Sequence, residues 1–108
     1  MLDFSAYNIR KFEVKLGEKK LNILPPKLSQ VDKINEFTGK LYTKGASSEE
    51  MADAALLIFN RNDEGEKFDK EFILELEYDV VYSTVVGYIA WVKEIDKNPN
   101  FYSLPAQQ

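Results

Sequence analysis

The chain has 108 residues, of which 44% are hydrophobic and 13% aromatic, so we expect one folded domain spanning residues 1–108. It contains no cysteine and no histidine, which excludes disulfides, thiolate zinc sites and histidine-based catalysis, and favours a binding or assembly protein over an enzyme. Its net charge of −4 does not favour nucleic-acid binding, and we expect neither cofactors nor metal ions.

The amino-terminal residues 1–12 lack the basic and then apolar pattern of a secretory signal. The longest uncharged apolar stretch, residues 80–92, is shorter than the roughly 20 residues that a membrane-spanning helix needs. We therefore expect a soluble protein of a reducing, cytoplasmic compartment.

Residues 11–24 are predicted to form a β-hairpin. Phe12, Val14 and Leu16 alternate with charged residues, and a second alternating run follows a turn that contains Gly17. Two prolines then end the second strand, because a proline ring cannot donate to the ladder. A lone hairpin is marginally stable in water, so it must pack on helices or gain strands from another chain.

Two amphipathic helices are predicted next, over residues 27–42 and residues 48–61. In the first, apolar residues recur on one side at helical spacing: Leu28, Val31, Ile34, Phe37, Leu41 and Tyr42. The second begins with a capping box formed by Ser47 and Glu50. Its alanines permit close packing, so we expect it to be the central helix.

The connector over residues 60–71 matches the calcium loop of EF-hands in part. The positions that fit the spacing are Asn60, Asn62, Glu64, Gly65 and Glu71. The first position carries Asn rather than Asp, and Lys67 occupies the eighth position, where an apolar residue is expected. These departures favour a polar connector that needs no ion.

A third, short and acidic helix is predicted over residues 69–77. Its inward face is formed by Phe72, Ile73 and Leu76. Its outward face carries carboxylates at four-residue spacing: Glu71, Glu75 and Asp79. We interpret this face as solvated, with a docking surface for a basic partner as the alternative.

A fourth helix is predicted over residues 80–97, and Pro99 ends it because the residue before a proline is pushed away from helical geometry. The many β-branched residues leave a strand over residues 80–86 as an alternative. The helix is apolar around most of its circumference, which predicts a partner-binding face around Trp91, with core packing as the other interpretation. The predicted face comprises Val81, Val85, Tyr88, Trp91, Val92 and Ile95.

Together these elements predict an α+β fold, mostly α, in which an N-terminal β-hairpin is followed by three or four packed amphipathic helices. Charge divides unevenly between the two parts of the chain. Residues 1–44 hold nine Lys or Arg against five Asp or Glu, a net +4, and residues 45–108 hold five against thirteen, a net −8. This asymmetry is common in small domains, but it also permits head-to-tail attraction between copies.

The order and size of these segments resemble the small tail assembly chaperones encoded by long-tailed phages and prophages of Gram-positive bacteria. The resemblance spans most of the chain. It includes the N-terminal LDFSAYNIRKF, the hairpin FEVKLGEKKLNIL, the PPK that follows, the amphipathic helices and the ending W-V-x-E-I-x-x-N-P-N.

This resemblance implies a non-enzymatic factor that binds the long, apolar, helical tape-measure protein and keeps it soluble. Such a factor is displaced as tail-tube subunits assemble, acts in the cytoplasm of the host bacterium and is not expected in the mature virion. Its implied partners are the tape-measure and tail-tube proteins, with a homo-oligomer as a further possibility, and the chain would match the short form of a frameshifted pair. The competing hypothesis is a small acidic regulatory or inhibitor domain that docks on a basic protein partner; a carboxylate-dependent hydrolase is a more distant one.

Overall fold

The computed structural model describes the backbone of residues 9–97 and the side chains of residues 9–94. The chain forms two strands, β1 (Phe12–Leu16) and β2 (Lys19–Ile23), and four helices, α1 (Leu28–Thr43), α2 (Ser48–Phe59), α3 (Lys70–Leu74) and α4 (Tyr78–Lys97). The predicted fold class is therefore confirmed: an N-terminal hairpin precedes helices that make up most of the structure. The predicted helix stop at Pro99 lies outside the described residues.

The hairpin turns on Gly17, whose φ of 61° is the left-handed conformation that glycine adopts without strain. Strands β1 and β2 are antiparallel, and Leu16 pairs with Lys19 across a loop of two residues. A positive φ at only the first loop residue is typical of a type II′ turn, which suits the twist of paired strands.

The outer edge of β2 is partly covered by the connector that follows α2. The Leu24 N–H donates to the carbonyl of Arg61 at 2.8 Å, and the Asp63 N–H donates to the carbonyl of Asn22 at 2.8 Å. The Asn22 N–H donates to the Glu64 carboxylate at 3.0 Å, and its side-chain amide donates to the same carboxylate at 2.8 Å. These bonds from Asn22 lower the pKa of Glu64. The connector thus satisfies the part of the strand edge at Asn22 and Leu24 that would otherwise be open.

Helix α2 is the central element, as predicted, because α1, α3 and α4 all pack on it. Its capping box is formed: the Ser47 hydroxyl accepts from the Glu50 N–H at 3.2 Å, and the Glu50 carboxylate accepts from the Ser47 N–H at 2.9 Å. The core lies where α2 and α4 meet beneath the hairpin. Its largest fully buried side chains are Tyr88, Phe59, Leu21, Ile23, Ile73 and Val85.

Helix α1 is peripheral, and the prediction of one continuous buried arc along it is only partly right. Ile34, Phe37 and Leu41 are half-buried against the core. Leu28, in the first turn, is 89% exposed, and Tyr42, in the last turn, is 63% exposed. The prediction of an apolar face that packs on the core is right for the middle of α1 and wrong at its two ends, because only the central turns of α1 reach α2.

Helix α3 is shorter than predicted, ending at Leu74, and α4 begins at Tyr78, two residues earlier than expected. The carboxylates of Glu71, Glu75 and Asp79 therefore do not share one helix face, since Glu75 lies in the break between the two helices. Phe72 is exposed rather than inward, whereas Ile73 is buried as predicted. The strand alternative for residues 80–86 is wrong, because apolar contacts along α2 favour a continuous α4.

Candidate interaction surfaces

The six residues of the predicted partner-binding face lie in different environments. Val85 and Tyr88 are fully buried, and Val81 is 7% exposed. Trp91 and Val92 are half-buried against the core, and the side chain of Ile95 lies outside the described part of the structure. In this chain the face is mainly a packing surface, so binding of a partner along its whole length would require the core to open.

The ring of Trp91 packs on the hairpin. Its centroid lies 5.6 Å from that of Phe12 and 5.6 Å from that of Tyr88. The Arg10 guanidinium carbon lies 4.3 Å from the Trp91 ring centroid, a cation–π contact. The same guanidinium donates to the carbonyl of Trp91 at 2.8 Å. Trp91 thus holds the start of β1 against α4, which supports the core interpretation.

Tyr88 connects α4 to the end of the hairpin. Its hydroxyl donates to the carbonyl of Leu24 at 2.8 Å, and its ring meets Phe12 edge to face at a centroid distance of 5.7 Å. Burial raises the pKa of the Tyr88 phenol, because a phenolate would lose its hydration there. The buried hydroxyl is therefore a structural link.

A cleft of about 450 Å³ opens where the end of α1 and the start of α4 flank α2 and α3. Its residues carry no charge, and we call it the uncharged cleft: Leu41, Gly45, Ala46, Ser47, Ser48, Met51, Ala52, Ile73, Leu74, Leu76, Tyr78, Val81 and Tyr82. Leu74, Tyr78 and Tyr82 are 46%, 66% and 39% exposed, and the two tyrosine rings stack with centroids 5.6 Å apart. Large apolar side chains that remain exposed around a concavity are typical of a binding site.

Carboxylates alternate along the chain with residues of α3 and α4 that line the uncharged cleft. Glu71, Glu75, Glu77 and Asp79 are exposed, and within the described residues none of them has an ion-pair partner. Lys70, by contrast, is held against α2 by Glu49 and by Asp53, the latter at 3.0 Å, and these contacts raise its pKa. The four exposed carboxylates thus give this end of α3 and α4 a negative charge.

A second cleft, of about 370 Å³, lies between α1, α2 and α4 on the other side of α1, and we call it the charged cleft. Ile34, Phe37 and Val85 contribute to its apolar floor, while its border carries charges of both signs. Lys40 and Glu50 form an ion pair across it. The hydrogen bond from Lys40, with that from the Ser47 N–H, lowers the pKa of Glu50 to about 2. This pairing ties α1 to α2, so the charged cleft is partly closed by its own side chains.

The oxygen atoms of the partial calcium loop serve the chain itself. The side-chain amide oxygen of Asn60 accepts from the Phe68 N–H at 2.8 Å, and the side-chain amide oxygen of Asn62 accepts from the Glu66 N–H at 2.9 Å. Glu64 accepts from Asn22, as described above. Across the part of the chain that the structure describes, no group of three or more acidic, histidine or cysteine side chains is placed to hold a metal ion. The loop is thus a hydrogen-bonded connector.

Sequence reasoning did not identify Leu74, Tyr78 and Tyr82 as exposed surface residues. The signal that would have found them is the break between α3 and α4, which no glycine or proline marks. Among residues 9–97, no helix combines the length and the apolar character required to cross a membrane. No protein-family model matches the sequence, and neither the curated proteins nor the solved structures contain a match.

Proposed function

We propose that this chain is a non-enzymatic assembly chaperone that binds an apolar helical segment of a phage tape-measure protein and releases it as tail-tube subunits polymerise. The observation that carries the proposal is the uncharged cleft, with Leu74, Tyr78 and Tyr82 exposed at its mouth. The resemblance in segment order supplies the identity of the partner.

The cleft suits helix-in-groove recognition, in which an amphipathic helix inserts apolar anchors at helical spacing into a groove. The tyrosines offer large and rigid contact surfaces with polar hydroxyls, and aromatic residues of this kind dominate binding hot spots. The opening measures only about 450 Å³, which accommodates a few anchor side chains rather than a whole helix face. Binding of moderate strength follows, as displacement by tail-tube subunits requires.

Co-expression with a tape-measure fragment tests the proposal. We expect the fragment to remain soluble and to co-purify with the wild-type chain. The double substitution Tyr78→Ser and Tyr82→Ser should weaken the complex by about tenfold or more, because two exposed anchors are lost without disturbing the core.

Leu28→Ser is the control, since it also removes a large exposed hydrophobic side chain, and Leu28 is 89% exposed and lines neither cleft. It should bind as the wild type does. A fragment that stays insoluble beside the wild-type chain, or that is captured equally by the double-tyrosine variant, would refute the proposal.

The competing function, a regulatory domain that docks on a basic protein, draws support from the unpaired carboxylates Glu71, Glu75, Glu77 and Asp79. Ionic strength separates the two functions. Docking through exposed charges weakens steeply when salt rises to about 1 M, whereas apolar insertion into the uncharged cleft persists. We therefore expect the complex with the tape-measure fragment to survive at high salt.

A further inference from the structure

The two edges of the hairpin differ. The outer edge of β2 is covered at Asn22 and Leu24 by the connector over residues 61–64, whereas no described backbone group outside the hairpin bonds to Lys20, which also faces outward. The outer edge of β1 is not covered: across the described part of the chain, no backbone group outside the hairpin bonds to β1. An open strand edge is a template for another strand, and proteins usually cover or blunt it.

The register of the hairpin identifies which groups of β1 face outward. Leu16 and Lys19 flank a two-residue turn and so form a hydrogen-bonded pair, after which bonded and non-bonded pairs alternate. The N–H and C=O groups of Glu13 and Lys15 therefore point away from β2. The same alternation directs the N–H and C=O of Asn22 outward on β2, where both are indeed bonded to the connector.

The sequence of β1, Phe-Glu-Val-Lys-Leu, is complementary to itself in the antiparallel direction. If two copies pair with Val14 opposite Val14, Glu13 of each copy lies opposite Lys15 of the other. Phe12 then lies opposite Leu16, on the apolar face of the sheet. Opposite charges and apolar pairs in these cross-strand positions stabilise a sheet.

Charge also selects this register over its neighbours. In the two neighbouring registers that keep Glu13 and Lys15 hydrogen-bonded, the two-fold axis moves from Val14 to Glu13 or to Lys15. The first places Glu13 opposite Glu13, and the second places Lys15 opposite Lys15. Like charges in directly opposed positions are destabilising. Within its own chain Lys20, which faces Lys15, pairs with Glu13 at 3.4 Å, whereas Lys15 has no ion pair among the described residues and can pair with a carboxylate from a second copy.

We infer that two copies of the chain associate through their β1 edges, forming a four-stranded antiparallel sheet across a two-fold axis at Val14. Four backbone hydrogen bonds, made by Glu13 and Lys15 of each copy, and two Glu13–Lys15 pairs hold it together. The contact is isologous, because each copy uses the same surface. It is also small, so the dimer forms and dissociates with concentration. This inference does not depend on the proposed function.

Charge substitutions test the inference by sedimentation equilibrium over roughly 1 µM to 1 mM protein, a range that spans weak to moderate dissociation constants. The wild-type chain is expected to dimerise. Glu13→Lys alone and Lys15→Glu alone each place like charges opposite one another twice per dimer. Each should weaken dimerisation by about tenfold or more.

An equimolar mixture of the two variants is the decisive arm, because a heterodimer places two lysines of one copy opposite two glutamates of the other. It should dimerise as the wild type does, and so should the double variant Glu13→Lys/Lys15→Glu. Lys15→Pro adds a backbone test, since it removes an outward N–H and no bond of the hairpin. It should be monomeric, with a circular dichroism spectrum like that of the wild type.

A wild-type chain that remains monomeric throughout this range would overturn the inference. So would single variants that dimerise undiminished, or a mixture that stays monomeric. Restoration in the mixture also excludes misfolding as the cause of the single-variant defects, since a misfolded chain would not regain pairing by addition of another.

Discussion

At the scale of single residues, Tyr88 carries a structural role that aromatic character alone does not reveal. Tyr88→Phe keeps the ring and removes the donor to the carbonyl of Leu24. We expect it to lower the free energy of unfolding by about 1 kcal/mol, measured by urea denaturation, because a net hydrogen bond of this kind is lost. Tyr82→Phe, on an exposed ring of the same helix, is the control and should change little. Equal effects would contradict the role of the buried hydroxyl.

The same tyrosine predicts a loss of stability at alkaline pH. Its pKa is raised in the folded chain, so the unfolded chain releases the proton first as pH rises above about 10. The contribution of the Tyr88 hydroxyl to stability is present below about pH 10 and is lost as the pH rises further. The difference in unfolding free energy between the wild type and Tyr88→Phe should therefore shrink above about pH 10, and a constant difference would contradict the raised pKa.

Glu50 should make the folded chain less stable in acid. Its pKa falls from 4.5 to about 2 on folding, through Lys40 and then the Ser47 N–H, so its contribution is present above about pH 4.5 and is lost as pH falls towards 2. The urea midpoint of the wild type should fall more between about pH 5 and 2 than that of Glu50→Gln. Lys40→Met should also flatten the dependence of the urea midpoint on pH, because it removes the larger of the two interactions that lower the pKa of Glu50. Parallel profiles for all three proteins would contradict the assignment.

At the scale of elements, two helical glycines provide a matched comparison. A Cβ added at Gly39 in α1 meets nothing within 4 Å, whereas one added at Gly87 in α4 lies 3.3 Å from Cζ of Phe12. Gly39→Ala should raise the unfolding free energy by about 0.5–1 kcal/mol, since glycine is costly inside a helix. Gly87→Ala should gain less, because the Phe12 ring must move. Equal gains on thermal denaturation would show that β1 does not constrain α4 at this point.

Helix α1 is expected to open before the rest of the fold. Thr38 is the one side chain described as buried in it, whereas α2 buries five residues. Regions with few buried apolar contacts exchange their amide hydrogens through local opening. Hydrogen-exchange mass spectrometry should show faster exchange in residues 28–43 than in α2 or α4. Protection equal to that of α2 would contradict this expectation.

The elements show which parts of the fold local sequence determines. The hairpin and the Ser47–Glu50 capping box were predicted because alternation, a turn glycine and a cap are local signals. The break between α3 and α4 was not predicted, because residues 75–77 are all good helix formers. The helices separate there because Ile73 and Val81 both pack into the core with α2. The uncharged cleft depends on that break, so it could not be found from periodicity. Trp91 was ambiguous because α4 is apolar on nearly every side, and only the position of Phe12 decides which side is covered.

At the scale of the whole molecule, the opposed charges of the two parts of the chain act at least partly within it. Lys11 pairs with Asp63 at 2.9 Å and Lys19 with Glu66 at 3.0 Å, and Lys40 pairs with Glu50. Each pair joins the basic part to the acidic part. They are at least partly exposed to solvent, so each contributes little to stability. Head-to-tail attraction between copies stays a prediction, but part of the charge that would drive it is already neutralised.

The partly covered edge of β2 has a consequence for how far the sheet can grow. A hairpin with two open edges would add copies on both sides without limit and would be a seed for fibrils. Here the outward backbone groups of Asn22 and the N–H of Leu24 already bond to the connector, so half of the β2 edge is closed. In the proposed dimer, growth by further strand addition is therefore restricted, because the only outward groups of β2 left without a described partner are those of Lys20.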